Sequence, residues 1–315
     1  MNMAVILAST ETMSYEDWLE YRKLGLGGSD ASVVCGINKY KSPVELWMEK
    51  TNQLQAQEAG EAAYWGTQLE PFVREEFTKR TGIEVTKPAV ILQSEEHPFM
   101  LANLDGICEV PGVGTCIFEA KTASAYKAGE WEDAIPDEYM LQVQHWMAVT
   151  GYQGTYIAVL IGGNTFRWRF VERDEELISM LIELENDFWN HVREGTPPPL
   201  DGSDASAQFL PHRFPSSKPR SYIVLPDAAA GLLAQHDEAC EQLKAVTEQK
   251  QKAENLLKEM LGDNKVGTAD GRVVTWKSVA QERLDNKILK AEHPTLCQKY
   301  TSKTSFRGFT VKTAS

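Results

Sequence analysis

The stretch LDGICEVPGVGTCIFEAKT, residues 104–122, has the pattern of two short strands that flank a Pro/Gly turn. Glu119 and Lys121 lie two positions apart in the second strand, so their side chains point to one face of the sheet. Asp105 lies 14 positions before Glu119, and the antiparallel partner strand brings it alongside. The stretch therefore predicts a β-hairpin that holds two carboxylates and an ammonium group close together.

Two carboxylates that face the same point repel each other unless a cation neutralises them. Oxygen ligands at one point favour a hard cation, Mg²⁺ or Mn²⁺. Lys121, next to such an ion, is placed to hold and polarise a water molecule. The three residues are compatible with metal-assisted hydrolysis of a phosphodiester, and equally with ordinary charges on an edge strand.

The composition is that of an ordinary globular protein, because 42% of the 315 residues are apolar and 24% are charged. No apolar run approaches the roughly 20 residues that a membrane span needs, and we expect no membrane association. The five cysteines are scattered without a C-x-x-C pair. This spacing indicates reduced thiols in a cytoplasm and argues against a zinc or iron–sulfur site.

The net charge of −13 is spread unevenly along the chain. Residues 1–195 have a balance of −16, whereas residues 270–315 have a balance of +5. An acidic chain can still bind phosphates through a local basic surface. Net charge therefore neither establishes nor excludes a nucleic-acid partner.

Periodicity predicts helices before and after the hairpin and strands on both sides of it. Predicted helices span residues 14–25, 42–51, 65–82, 136–151 and 174–195, and strands span 84–93, 99–110, 114–122, 154–163 and 165–173. A glycine-rich turn at residues 25–28 precedes another helix, for which Ser29 or Asp30 is the expected cap. This order predicts an α/β (α+β) fold, a mixed central sheet flanked by helices.

The chain divides into three parts on composition. Residues 1–195 form the expected main domain, and residues 196–219, rich in Pro, Ser and Gly, the expected linker. Residues 220–315 contain a polar helical arm at 226–261, which fits a helical hairpin or an oligomerising helix, and a small strand-bearing module. Three binding partners remain open for this last part: DNA, an annealing protein and another subunit.

Several stretches together resemble one known family. These are RKLGLGGSDASVVCGINKYKSPVELWMEKTN, WGTQLEPFVREEF, LANLDGICEV, FEAKT and YMLQVQHWMAVTGY. Their content and order over roughly residues 14–195 resemble the YqaJ-type viral recombinase family, relatives of phage lambda exonuclease in the PD-(D/E)xK nuclease superfamily. The chain departs from the superfamily motif at Leu104, where a proline would precede Asp105.

The resemblance implies a restriction-endonuclease-like fold and an Mg²⁺-dependent nuclease that digests linear double-stranded DNA from its 5′ ends. It implies ligands for two Mg²⁺ (or Mn²⁺) ions, namely Glu70, Asp105, Glu119 and the main-chain carbonyl of Ala120. Lys121 would position the attacking water, and Gln142 or Gln144 would support Lys121 or a phosphate.

The resemblance also implies a pocket for the terminal 5′ phosphate, formed by Arg22 and Ser29, with Asn103 beside them. A guanidinium and a hydroxyl at a glycine-rich helix start form a suitable anion pocket. The family further implies a single-strand annealing protein as partner and a homo-oligomer, for which a ring trimer is one form.

Two other readings of the same residues remain. One is a structure-specific or nicking endonuclease, which would not need the 5′-phosphate pocket. The other is a DNA-binding or assembly module with a dormant nuclease site, although a dormant site need not keep all of Glu70, Asp105, Glu119 and Lys121.

Overall fold

The computed structural model describes residues 4–54, 60–219, 221–280, 282, 286–302 and 307–312. The chain forms two compact units, Met1–Phe214 and Pro215–Ser315. In chain order the first unit contains β1 (Ala4–Ser9), α1 (Tyr15–Arg22), α2 (Gly28–Val34), α3 (Pro43–Lys50), α4 (Glu61–Thr81), β2 (Val85–Thr86), β3 (Val90–Ser94), β4 (Leu101–Ala102), β5 (Gly106–Val110), β6 (Gly114–Ala123), a 3₁₀ helix (Ala125–Trp131), α5 (Asp137–Thr150), β7 (Gly154–Ile161), β8 (Thr165–Glu172), α6 (Glu175–Glu194) and α7 (Asp204–Arg213).

The central sheet has five strands in the order β2-β5-β6-β7-β8. β5 and β6 pair antiparallel, β6 and β7 pair parallel, and β7 and β8 pair antiparallel. The parallel pair requires a crossover connection, which α5 provides. The predicted mixed sheet flanked by helices is therefore confirmed.

The predicted hairpin is present as β5 and β6. Gly112 and Gly114 in its turn have φ of 82° and 98°, values that residues other than glycine rarely adopt. The ladder pairs Gly106 with Phe118, and the next pair in this register places Asp105 opposite Glu119.

The two faces of the sheet pack against different helices. Phe118 of β6 packs with Phe77 of α4 on one face. Ile117 of β6 belongs to the cluster that contains Val143 of α5 on the other face. Because side chains alternate along a strand, Glu119 lies on the same face as Ile117, towards α5.

A second sheet, in the order β1-β3-β4, lies in the same unit. The sequence alone does not predict β1, because this strand depends on pairing with β3, more than 80 residues later. The sequence also predicts one strand where the structure has β2 and β3, and one strand where it has β4 and β5. In each case the chain leaves one sheet and joins the other.

The segment predicted as a linker contains helix α7. Ser203 caps it by accepting a hydrogen bond from the Ser206 main-chain N–H, and Phe209 is buried. The first compact unit consequently extends to Phe214, beyond the boundary at residue 195 that composition alone suggests.

The second unit contains α8 (Ala228–Leu261), β9 (Val266–Ala269), β10 (Arg272–Thr275), α9 (Asn286–Glu292) and α10 (Pro294–Lys299). The β9–β10 hairpin turns at Asp270 and Gly271, whose φ values are 50° and 67°. Positive φ at both residues is typical of a type I′ turn. In the described ranges, no helix combines the length and apolar character that crossing a membrane requires.

Gly28→Ala is expected to lower the free energy of unfolding by roughly 1–3 kcal/mol, because it overpacks the contact between α2 and α5. An added Cβ would lie 2.6 Å from the Trp146 indole nitrogen and 2.9 Å from the Gln142 main-chain oxygen. The matched control is Gly129→Ala, where a Cβ meets nothing within 4 Å. Urea unfolding of both variants tests this, and equal stabilities would contradict it.

Candidate active site

One cavity of about 750 Å³ collects nearly all the site residues expected from the sequence. They are Arg22, Ser29, Glu70, Asn103, Asp105, Glu119, Ala120, Lys121 and Gln142. They come from four helices and one strand, as well as the loop before β5. Gln144 is the one expected residue that does not line this cavity.

Glu119, Lys121 and Gln142 form a closed triangle at one end of the cavity. The Lys121 Nζ lies 2.5 Å from Glu119 Oε1 and donates to Gln142 Oε1 at 3.0 Å. The Gln142 Nε2 donates to Glu119 Oε1 at 2.9 Å. The ammonium also lies 4.5 Å from the centre of the Tyr139 ring. Of the two glutamines left open by the sequence, Gln142 supports Lys121.

The Glu119 carboxyl is held in an environment that disfavours its charge. Glu119 is 1% exposed, and its Oε2 has no hydrogen-bond partner among the residues that the structure describes. Burial, followed by the nearby Asp105 carboxylate, raises the pKa of Glu119 well above its usual value. Burial alone would lower the pKa of Lys121, but Glu119 and Asp105 outweigh it and raise that pKa. Lys121 is therefore a cation in this site.

Asp105 is oriented by the adjacent strand. Its Oδ2 accepts a hydrogen bond from the Ala120 main-chain N–H at 3.1 Å. Its main-chain oxygen accepts one from Arg74 at 3.0 Å. The carboxylate therefore faces β6 beside Glu119, as the hairpin register predicts.

Glu70 lines the cavity but is held by two basic residues. Its Oε1 lies 2.7 Å from Lys87 Nζ and 3.1 Å from Arg74 Nη1. In the described parts of the chain, no three carboxylate, imidazole or thiol groups lie close enough together to hold a metal ion. Glu70 would reach a shared ion only after leaving these two partners.

Asp105 and Glu119 nevertheless fit a hard cation. The buried Oε2 of Glu119 has no hydrogen-bond partner in the described part of the chain, and the nearby Asp105 carboxylate repels the Glu119 charge. The Asp105 and Glu119 carboxylates offer oxygen ligands, which Mg²⁺ and Mn²⁺ prefer. A bound cation would relieve both the repulsion and the missing contact.

At another part of the cavity wall, Arg22 and Ser29 meet at the start of α2. The Arg22 Nη2 donates to Ser29 Oγ at 3.2 Å and to Asp30 Oδ1 at 3.3 Å, and its guanidinium lies 5.0 Å from the Trp18 ring. The helix cap is Gly27, whose N–H donates to Asp30 Oδ2. The expectation that Ser29 or Asp30 occupies the cap position was therefore wrong, and Ser29 is free of that role.

Asn103 is exposed and also lines the cavity. It follows β4 and precedes the buried Leu104 and the carboxylate Asp105. The structure thus places Asn103 in the same cavity as Arg22.

The sequence analysis did not identify Lys50, whose side chain holds Asp30 and the main chain near Arg22 in place. The buried Lys50 Nζ donates to Asp30 Oδ2 at 2.8 Å and to the main-chain oxygens of Arg22 and Gly25, each at 2.7 Å. Burial alone would raise the pKa of Asp30, but Lys50 and Arg22 hold it below its usual value. Lys50 ends an ordinary amphipathic helix, so no periodic signal marks it.

Gln144 has a structural position away from the cavity. Its side-chain amide donates to the Glu172 main-chain oxygen at 2.8 Å and accepts from the Asp174 N–H at 3.0 Å. It therefore joins α5 to the end of β8 and the start of α6. A catalytic role for Gln144 has no geometric support.

His145, next to Gln144, forms a buried ion pair with Glu185. Its Nδ1 lies 2.8 Å from Glu185 Oε1, and its Nε2 lies 2.9 Å from the Leu101 main-chain oxygen. Burial alone would lower the pKa of His145, but the Glu185 carboxylate outweighs it and raises that pKa above 6.5. Both ring nitrogens face acceptors, so the charged imidazolium is the favoured form.

The stability that this pair contributes is expected to decline with rising pH. A group whose pKa is raised in the folded state contributes its full stabilisation at a pH below its unfolded-state pKa, which is near 6.5 for histidine. That stabilisation is lost as the pH rises through the folded-state pKa. At pH 6 Glu185→Gln should cost roughly 3–5 kcal/mol, and the gap from wild type should narrow towards pH 9. Urea unfolding of both proteins at the two pH values measures it, and a constant gap would contradict the assignment.

Comparisons with known proteins identify the family of this chain. The model of the YqaJ-like viral recombinase domain matches residues 17–153, a range that includes the whole Glu119–Lys121–Gln142 triangle. The chain is 41% identical to an uncharacterized protein, YqaJ of Bacillus subtilis (strain 168), over 318 residues, which is 99% of this chain and 98% of the relative.

Solved structures of exonucleases align with part of the chain. The alkaline exonuclease LHK-Exo from Laribacter hongkongensis aligns at 22% identity over 63% of this chain and 97% of its own, with a TM-score of 0.44. A phage-related exonuclease from Haemophilus somnus 129PT aligns at 14% identity over 56% of this chain and 99% of its own, with a TM-score of 0.42. On the family match and the full-length relative, the chain belongs to the YqaJ-like viral recombinase family.

Proposed function

We propose that the chain is an Mg²⁺-dependent nuclease that degrades linear double-stranded DNA from its 5′ ends, exposing single strands for recombination. The observation that supports this most is the single cavity, in which the Asp105, Glu119 and Lys121 group and the Arg22 and Ser29 pair are both present. The first group suits hydrolysis of a phosphodiester, and the second suits a terminal phosphate.

Asp105, Glu119 and the Ala120 main-chain carbonyl would hold a first Mg²⁺, and Glu70 would contribute to a second once released from Arg74 and Lys87. Bound there, the ions supply neutralisation of the phosphodiester charge and an acidified water. Mn²⁺ has the same preference for oxygen ligands and would substitute.

Lys121 would act as a donor rather than as a base. Its ammonium lies 2.5 Å from Glu119 Oε1, and in this charged form it can hold a water molecule by hydrogen bonding but cannot accept a proton from it. Gln142 fixes the ammonium by accepting from it while donating to Glu119. Gln142 is thus a positioning residue for both charged groups.

Arg22 and Ser29 would bind the terminal 5′ phosphate. One guanidinium nitrogen of Arg22 contacts Ser29 and Asp30, which aligns the planar group for further donation into the cavity. The hydroxyl of Ser29 is available as a second donor. A single-strand annealing protein as partner and a homo-oligomeric assembly such as a ring trimer belong to the same proposal.

The test compares four substrates: linear duplexes labelled at the 5′ or the 3′ end, a nicked circle and a closed circle. With Mg²⁺ we expect nucleotides to be released first from 5′ ends of linear duplexes, and no cleavage in EDTA. Cleavage of the closed circle would favour the endonuclease reading. Binding of duplex without any cleavage in Mg²⁺ or Mn²⁺ would favour a dormant site.

A further inference from the structure

Helix α8 of the second unit presents a row of exposed apolar residues along its whole length. Among the described residues of this 34-residue helix, only Leu261 is buried. Leu243, Val246 and Met260 are 68%, 61% and 81% exposed. Helices in proteins owe most of their stability to packing of such a face, so this helix lacks the contact that its length requires.

The row repeats every three and four residues over more than four heptads, the spacing of a coiled coil. We call these ten positions the seam: Ala229, Leu232, His236, Ala239, Leu243, Val246, Lys250, Ala253, Leu257 and Met260. Leu233 and Leu256 flank the seam and widen the apolar face.

Charge is segregated away from the seam. Eight of the ten charged residues of α8 lie on the outer face of the helix: Asp237, Glu238, Glu241, Lys244, Glu248, Lys252, Lys258 and Glu259. The seam's cation, Lys250, lies 3.3 Å from Glu254 within the same helix. An outer charged face opposite an apolar seam indicates that the seam meets another helix.

We propose that α8 pairs with α8 of a second copy of this chain as an antiparallel coiled coil. In an antiparallel pair, residues at equal distances from the midpoint lie opposite one another. The midpoint of Ala228–Leu261 falls between Lys244 and Ala245. Pairing about this point overlaps the two helices over their full length and is self-complementary, as a two-fold interface must be.

This register matches every layer of the seam. It sets Leu243 against Val246 of the second copy, and Leu257 against Leu232. The polar residues His236 and Lys250 each meet an alanine, Ala253 and Ala239, which leaves room for their long side chains. The remaining layer joins Ala229 with Met260.

A parallel pair in register is disfavoured by the same residues. It would set Lys250 against Lys250 and His236 against His236, and like charges at the seam destabilise a pair. Phe309 contacts His236 near one end of the seam, with ring centroids 6.3 Å apart. The central layers at Leu243 and Val246 stay exposed and accessible.

Light scattering, which measures the mass of the full chain in solution, tests whether two copies pair through the seam. Leu243→Asp places a charge in both central layers, and because Leu243 is exposed the variant should fold as the wild type does. We expect its dimer Kd to rise roughly a hundredfold and its mass to fall twofold, whatever assembly the first unit makes. Ala245→Asp, the same change on the outer face, should keep the wild-type mass.

Ala239→Glu tests the direction of the pair. In the antiparallel register each Glu faces Lys250 of the second copy, so the dimer should persist at low salt and weaken as salt rises. In a parallel pair the two Glu side chains would face each other and halve the mass at low salt. A halved mass of Ala239→Glu at low salt would overturn the proposal. Equal masses for the wild type and Leu243→Asp would also overturn it, as would a lower mass of Ala245→Asp.

Discussion

Glu119→Gln is expected to reduce DNA cleavage by roughly three orders of magnitude while leaving the fold intact. Gln is close to Glu in size and still offers an oxygen to the Gln142 amide and the Lys121 ammonium, but it cannot neutralise a cation. Burial and the Asp105 carboxylate already disfavour the Glu119 charge, so its removal costs the free protein little stability. Initial rates on a linear duplex and thermal unfolding measure the two effects.

The matched control is Glu109→Gln, the same change on the neighbouring strand β5. Glu109 is exposed and accepts a hydrogen bond from Thr115 at 2.6 Å, and its variant should cleave at the wild-type rate. Without DNA, Mg²⁺ should raise the Tm of the wild type but not of Glu119→Gln, because a ligand of the folded state stabilises it. Near wild-type cleavage by Glu119→Gln would refute the active-site assignment.

Lys121→Ala should lose cleavage to a similar extent for a different reason. The variant keeps both carboxylates and hence the cation, but it removes the ammonium that Gln142 and Glu119 hold in place. Mg²⁺ should therefore still raise its Tm. The pair of variants separates binding of the ion from orientation of the water.

The hairpin could be predicted because its determinants are local. The glycines of the turn, the alternation along β6 and the spacing of Glu119 and Lys121 all act within 20 residues. The placement of Gln142 was predicted only as one of two options. Gln142 and Gln144 lie two apart on one helix, and on a helix such residues point in different directions, so the sequence could not say which faces β6.

Other parts of the site depend on contacts between distant segments. Lys50 meets Asp30 across 20 residues, and Lys87 meets Glu70 across 17. Neither pair has a periodic signal, because each forms only when helices and loops are packed. Burial of a charge is likewise a property of the packed fold, which is why Lys50 reads as a surface residue in the sequence.

Arg22→Ala is expected to remove the preference for 5′-phosphorylated over 5′-hydroxyl ends. Charge-assisted hydrogen bonds to phosphate contribute about 1.5–3 kcal/mol, which corresponds to a ratio of rates of roughly ten- to a hundredfold. The control is Arg80→Ala, because Arg80 is an arginine of α4 that pairs with Glu76 and does not line the cavity. Initial rates on the two duplexes give the ratio for each protein.

Lys50→Met tests whether the end preference depends on the orientation of Arg22 as well as on its presence. The variant keeps the guanidinium but removes the ammonium that bonds Asp30 and the Arg22 main-chain oxygen. We expect an intermediate end preference, with a raised KM for 5′-phosphorylated duplex. The assay is run below the Tm, because breaking the buried ion pair between Lys50 and Asp30 costs about 3–5 kcal/mol. An unchanged ratio in Arg22→Ala would exclude Arg22 from the phosphate pocket. A wild type without any end preference would instead favour an endonuclease, since such an enzyme has no use for a terminal phosphate.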